Sequence, residues 1–181
     1  MTLTTTRLRL VPLGEEHASA IQAAAADRDI ADTMISIPHP YPEGEAARWI
    51  ASQQADHADG RAVAFAIETV ADNDFCGVVA IRHIDREHEQ AEISFWLART
   101  AWNKGYMSEV VTAILRYGFE TLGLNRLCAY HMVRNPASGR VLEKNGFTQE
   151  AVLRERVKKW GVFEDVCLWS ILKRDWTMST T

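Results

Sequence analysis

Residues 91–109 read AEISFWLARTAWNKGYMSE, and the way this stretch is parsed decides the fold. The apolar run up to Trp96 and Leu97 has strand character, whereas Val110, Val111, Ile114, Leu115, Gly118 and Leu122 recur at helical spacing. A strand therefore hands over to a helix expected over about 108–122, and Gly105 lies at the junction. The first turn of a helix leaves backbone N–H groups unpaired at the positive end of the helix dipole. With Lys104 beside it, the junction reads as an anion site, most naturally for a phosphate. The competing reading is that a glycine between strand and helix serves backbone geometry alone. The chain has no G-x-x-x-x-G-K-[ST] and no G-x-G-x-x-G, which excludes a Walker loop and a dinucleotide fingerprint.

Working outward, residues 7–11 alternate as a strand, and an alanine-rich helix is expected over about 15–26. Pro38, Pro40 and Pro42 alternate in SIPHPYPEGEAARWI, residues 36–50, and dictate a stiff, extended surface segment before a second helix beginning near Glu43. Strands are predicted over 62–68, 75–84 and 91–97, separated by turn residues, as an antiparallel meander. Gly123 ends the central helix, and 126–133 form another strand. Residues 135–147, NPASGRVLEKNGF, carry their own helix limits: Asn135 is a good N-cap residue, Pro136 suits the first turn, and Gly146 suits the end. Two more strands, 148–159 and 162–173, meet at a Trp160-Gly161 hairpin turn. The resulting order is β-α-α-β-β-β-α-β-α-β-β. No repeat or composition change marks a boundary, so a single domain over 1–176 is expected, with 177–181 as a frayed, disordered tail.

The 181 residues, 47% hydrophobic and 24% charged, are an ordinary globular mixture, and a formal net charge of −4 argues against general nucleic-acid binding. The N-terminus lacks a signal-like apolar run, and no stretch is long enough to cross a bilayer, so no membrane association and a cytoplasmic location are expected. Cys76, Cys128 and Cys167 stand far apart in apolar runs and read as buried, reduced thiols. His83, Asp85 and His88 in RHIDREHE lack the spacing of a metal site and read as a charged turn, so no metal is expected. Arg154, Arg156 and Lys158 share a strand face by alternation, which reads as a solvated face that can still meet an acidic acceptor.

Four segments in order, TTRLRLVPLGEEHA, AEISFWLARTAWNKGYMSE, LNRLCAYHMVRNPASGRVLEKNGF and FEDVCLWSILKRDW, together resemble the GNAT family of N-acetyltransferases, specifically its RimJ/RimL branch. The resemblance spans nearly the whole chain. It implies a GNAT-type α/β fold, a single domain with a mixed, largely antiparallel central sheet flanked by helices. It also implies acetyl-CoA as cosubstrate and a direct attack by a primary amine with both substrates bound. In the family loop the positions here are Trp102, Asn103, Lys104, Gly105, Tyr106 and Met107, continuing to Ser108. They would cradle the diphosphate of CoA, with Gly105 giving it close access. Asn103 stands where the branch often has glycine, and Met107, bulkier than the usual glycine or alanine, would narrow the cradle. The backbone of Phe95, Trp96 and Leu97 would hold the pantetheine arm, which Asn135 would also contact.

Glu92 is an acid in an apolar strand and a candidate base for the acceptor ammonium; the alternative is a solvent-side ion pair with a nearby arginine. Many relatives carry a tyrosine just before E-K-x-G-F as proton donor to the departing thiolate. Leu142 stands there in this chain, which leaves Ser138, near the thioester sulfur by resemblance, as the hydroxyl to do that work. His39, Tyr41 and Trp49 flank the proline-rich segment, where the branch shapes its acceptor cleft, although aromatics on a surface linker need no such role. The acceptor expected is a protein N-terminal α-amine; the alternatives are a small amine such as an amino acid, polyamine or aminoglycoside, or a silent acyl-CoA-binding module. The sequence leaves a homodimer open as the assembly.

Overall fold

The computed structural model describes the backbone of residues 1–179 and the side chains of residues 1–176. In chain order its elements are β1 (Leu3–Thr4), β2 (Leu8–Pro12), α1 (Ala18–Ala25), α2 (Arg28–Thr33), α3 (Glu45–Ala58), β3 (Val63–Thr69), β4 (Phe75–Asp85), β5 (Gln90–Leu97), α4 (Tyr106–Arg116), β6 (Arg126–Met132), α5 (Pro136–Lys144), β7 (Thr148–Lys159), β8 (Val162–Leu172) and α6 (Lys173–Ser179). One mixed sheet of eight strands runs in the order β1-β2-β3-β4-β5-β6-β8-β7. Every neighbouring pair is antiparallel except β5 and β6. That pair is parallel because α4 carries the chain back across the sheet between them, as a parallel connection requires.

The alternation of the central strands sorts their residues between two layers of helix. Phe65, Ile67, Val79, Ile81 and Ile93 pack with Val110, Val111 and Ile114 of α4, all fully buried or nearly so. On the other face Ala64, Ala66, Val78 and Ala80 pack against Ile21, Ala46 and Ile50 of α1 and α3. The small alanines let these helices lie close to the sheet, while the larger residues fill the α4 side. Each fully buried Leu or Ile contributes about 1.5–3 kcal/mol relative to exposure. Among the described residues no helix is long and apolar enough to cross a membrane.

Several boundaries differ from expectation for local reasons. The first expected helix divides: a 3-10 turn at Glu15–His17 leads into α1, and Asp27 accepts the Asp29 N–H at 2.9 Å and so starts α2, which the sequence pattern did not separate. The two-residue β1 and the C-terminal α6 are also additional. The central helix starts earlier, at Tyr106, and its last turn widens into a π-turn at Tyr117–Thr121. A Cβ on Gly118 would lie 2.8 Å from Leu127 Cδ1, so the widened turn rests directly on β6. Gly123, at φ +71°, stops it as expected. Arg154, Arg156 and Lys158 do not alternate on one regular face, because the β7–β8 register shifts between Leu153 and Val157 with Glu155 at φ +50°. The backbone of α6 continues through residues 177–179, and residues 180–181 of the expected tail lie outside the described residues.

Candidate active site

The site begins where two strands part. β5 and β6 pair only at Gln90–Arg126, Ala91–Leu127 and Glu92–Cys128. Past that point β5 runs on to Leu97 and β6 to Met132 without pairing to each other, so a wedge opens between them at mid-sheet. Backbone polar groups on the inner edge of such a wedge need partners, and an extended ligand lying between the strands can supply them. Glu92 is the last paired residue and marks the apex.

A cleft of about 550 Å³ leads into the wedge from the α4 side. Its walls include Phe95, Trp96 and Leu97 of β5, the loop residues Trp102, Asn103 and Gly105, the helix start Tyr106, Met107 and Ser108, and Asn135 with Ser138 of α5. Asn103 and Gly105 both have left-handed backbones, at φ +60° and +74°. Asparagine tolerates that conformation better than most residues, which fits it to a position where glycine is common. No side chain caps α4 at Gly105, and the N–H groups of a first helical turn have no partner within the helix. The Trp102 indole donates to Leu97 O at 2.8 Å and ties the loop to the end of β5.

The loop is braced from outside by the N-terminal segment. Arg7 donates through Nη1 to Lys104 O at 2.9 Å and through Nε to Glu109 Oε2 at 2.8 Å, and its guanidinium lies 4.7 Å from the Tyr106 ring centroid. Thr5 and the Arg7 backbone N–H also donate to Glu109. Burial pushes the Glu109 carboxyl up, and these hydrogen bonds outweigh it, so it titrates below the usual carboxylate range.

Met107 borders the cleft but is 6% exposed and packs chiefly in the core beneath α4. Lys104 is not among the lining residues; its ammonium lies 5.8 Å from the outer Tyr106 ring. The cationic side chains on the cleft wall are Arg140 and Lys144 of α5, which sequence reasoning missed. Their signal was the four-residue spacing that puts both on one helix face.

At the other end, Asn135 does not cap α5 with its side chain. Its Nδ2 donates to Ser138 Oγ at 3.0 Å and to Thr33 O at 3.4 Å. The Ser138 hydroxyl thus has an acceptor site filled and its own proton to give elsewhere. Leu142, 1% exposed, is turned into the core. A small cavity at the apex is lined by Glu92, Ser138, Tyr130, His131, Arg82 and Ser94 among others. Arg82 donates to Glu92 Oε1 through both Nε and Nη2, so the arginine ion pair of the alternative reading is present, although the carboxylate is only 14% exposed. His131 has both nitrogens engaged, with Nδ1 on Met132 O at 2.8 Å and Nε2 accepting from Trp169 at 2.9 Å. Tyr130, unremarked in the sequence, has its phenol pushed up by burial first and by Cys128 and Glu92 next, and so stays protonated.

On the opposite side of the sheet a larger cleft of about 990 Å³ is lined by Tyr41, Trp49, Ile37, Glu45, Asp56 and Trp96 among others. Burial chiefly, then the Glu45 carboxylate, raises the Tyr41 phenol. His39 is not on this wall; it is exposed and lies 6.2 Å from the Trp160 ring. Met34 lines all three spaces, and Trp96 both large ones, so the clefts meet at the wedge from opposite faces. Among the described residues there is no cluster of three His, Cys, Asp or Glu side chains placed to hold a metal, and all three cysteines are free thiols, Cys128 half-buried and the others buried.

Residues 7–148 match the model of the acetyltransferase (GNAT) domain. An uncharacterized N-acetyltransferase of Bacillus subtilis, YoaA, is 30% identical over 176 residues, covering 94% of this chain and 96% of its own. Among solved structures, RimL, a ribosomal alpha-N-protein acetyltransferase in complex with coenzyme A, superposes with a TM-score of 0.88 at 20% identity over 95% of this chain and 98% of its own. A spermidine N-acetyltransferase from Vibrio cholerae, in complex with CoA and spermine, gives 0.85 at 23% identity over 96% and 99%. The chain thus belongs to the GNAT family and is an acetyl-CoA-dependent N-acetyltransferase.

Proposed function

We propose that the enzyme acetylates the α-amine of a protein N-terminus, in the manner of the RimJ/RimL branch, rather than a polyamine or other small amine. The two solved structures above divide on this point, and at their level of identity they speak for the fold alone. The observation that carries the proposal is the charge balance of the acceptor side. Five carboxylates line the large cleft and the apex: Glu45, Asp56, Asp85, Glu87 and Glu92. Glu45 is paired with Arg48 at 2.8 Å, Asp56 with Arg61 at 2.7 Å, and Glu92 with Arg82. Asp85 accepts the His88 N–H at 2.9 Å, while Glu87 is exposed. A polycation needs carboxylates that lack their own cations; these largely have them. One amine that reacts in neutral form does not need them. A protein α-amine has a reference pKa about 2.5 units below that of lysine, so its neutral form costs roughly 3.4 kcal/mol less to reach.

In this reading the loop 102–108 and the first turn of α4 hold the diphosphate, and the inner edge of β5 at 95–97 and Asn135 hold the pantetheine arm. Acetyl-CoA supplies the thioester acyl group. The peptide enters past Tyr41 and Trp49, Glu92 receives the proton of the incoming ammonium, and Ser138, oriented by Asn135, offers its hydroxyl proton toward the sulfur. Holding both partners in the wedge provides much of the rate enhancement. The test is thiol release from acetyl-CoA with an unblocked peptide, the same peptide N-terminally blocked, and spermidine. The unblocked peptide should give turnover at least about tenfold above either control, a gap of roughly 1.4 kcal/mol. Faster turnover with spermidine would overturn the proposal.

A further inference from the structure

Lys159, the last residue of β7, is 6% exposed, yet it carries an ammonium. Its Nζ donates to Met34 O at 2.8 Å and to Ile37 O at 2.6 Å. Both acceptors belong to the segment between α2 and α3. Met34 lines the CoA-side cleft, the apex and the acceptor-side cleft, and Ile37 lines the last of these. Pro38, Pro40 and Pro42 follow at once and have no N–H to donate, so this stretch cannot organise itself by a ladder of its own. An outside donor that draws together two loop carbonyls three residues apart fixes where the wall of the cleft stands.

The hairpin tip that carries Lys159 grips the same segment at further points. Trp160 and Gly161 form the turn with φ of +49° and +86°. The Trp160 ring receives the Arg28 guanidinium at 5.4 Å and His39 at 6.2 Å. On the adjacent side Arg134 donates to both Asp32 O and Asp32 Oδ2. The segment from Arg28 to His39 is therefore held against the hairpin and the start of α5, where Asn135 also donates to Thr33 O; Lys159, Trp160 and Arg134 themselves do not line the apex.

We propose that Lys159 is a positioning residue for the acceptor: by tying Met34 and Ile37 it sets the wall against which the amine-bearing substrate lies, while the 102–108 cradle, which it does not touch, keeps the main hold on acetyl-CoA. The proposal rests on the reading that the amine enters by the large cleft, but not on which amine it is. It commits to a separation of effects. An ammonium removed from between two partly buried carbonyls leaves both without that donor, so the segment shifts toward water. The acceptor wall moves; the α4 cradle, on the other face of the sheet, does not.

The experiment compares the full-length protein with Lys159→Met and Lys159→Arg, using whichever amine in the panel turns over best. Lys159→Met should raise the acceptor KM about tenfold or more while kcat stays within about threefold, the pattern of lost ground-state positioning. The acetyl-CoA dissociation constant by calorimetry should stay within about twofold, and amide exchange should quicken in 34–39 but not in 105–112. Lys159→Arg, which keeps the donors, should fall between the two. As a second variant that leaves the buried site intact, Trp160→Ala should raise the acceptor KM in the same direction. An unchanged KM in Lys159→Met, or a CoA dissociation constant that rises in step with KM, would overturn the proposal. A preference for spermidine over peptide would instead overturn the acceptor assignment, leaving Lys159 to be judged on the KM for spermidine.

Discussion

Ser138 and Glu92 sit on different elements, one on α5 and one on β5, yet face the same small cavity at the point where the strands part. Their chemistry separates cleanly. Ser138→Ala removes a hydroxyl that accepts from Asn135 and leaves the rest of α5 in place, so kcat should fall about tenfold with the CoA dissociation constant nearly unchanged. Melting temperature measured alongside controls for any loss at the helix start, and full turnover under chemistry-limited conditions would remove Ser138 from the proton path. Glu92→Gln should lower kcat on the order of 10²-fold and erase the acidic limb of the pH–rate profile. An intact limb would make Glu92 a structural partner of Arg82. Glu92 was legible as an acid in an apolar strand, whereas Ser138 was a candidate only through the family resemblance. The Asn135–Ser138 bond was not legible, since Asn135 also satisfies every sequence criterion of an N-cap and only the side-chain direction distinguishes the roles. Leu142 shows the same limit: whether a helix residue faces the site or the core depends on how the helix is rotated on the sheet.

At the scale of elements, the strand–loop–helix passage from β5 to α4 is the feature most fully written in the chain. The glycine, the apolar strand and the helical spacing all lie within one short stretch, and local rules suffice to read them. A Cβ on Gly105 would meet only the Arg7 guanidinium, at an ordinary 3.7 Å, so the glycine is required by its φ of +74° more than by space. Gly105→Val should therefore weaken CoA binding by an order of magnitude or more, whereas Gly105→Asn, which tolerates a left-handed backbone, should lose only a fewfold. Equal losses in both variants, measured by calorimetry, would return the role of the glycine to close ligand access. The brace from Arg7 to Glu109 was not legible, because it joins residues about a hundred positions apart. The α2 helix was missed for the opposite reason: six residues are too few to show a period.

Across the whole molecule, the far end of the sheet is pinned by an ion pair that spans one strand. Arg126 of β6 reaches Glu150 of β7 at 2.6 Å over Ser170 of β8, which also donates to Glu150 at 2.6 Å. The Arg126 guanidinium first, then Ser170, holds the Glu150 carboxyl down to about 2. A carboxyl depressed in the fold adds stability that is present above the ordinary carboxylate range and is lost as pH falls toward 2. The pair is more than a quarter exposed on both sides, so solvent screening holds its worth to about 1 kcal/mol or less. Urea titrations should show Glu150→Gln less stable than the parent at pH 6 and nearly equal to it at pH 2; an equal deficit at both would assign the loss to packing. The mixed, largely antiparallel sheet flanked by helices was legible through the family resemblance, whereas the strand order around its one parallel pair and the meeting of two clefts at Met34 and Trp96 required the fold itself. That meeting is where the central claim, acetyl transfer to a protein α-amine, is most directly tested. A peptide bearing one free α-amine and one internal lysine is incubated with enzyme and acetyl-CoA near neutral pH, and the acetylated position is read by tandem mass spectrometry. Acetylation at the α-amine with the lysine left unmodified is the predicted result; modification of the lysine, or of neither amine while spermidine is acetylated, would contradict it.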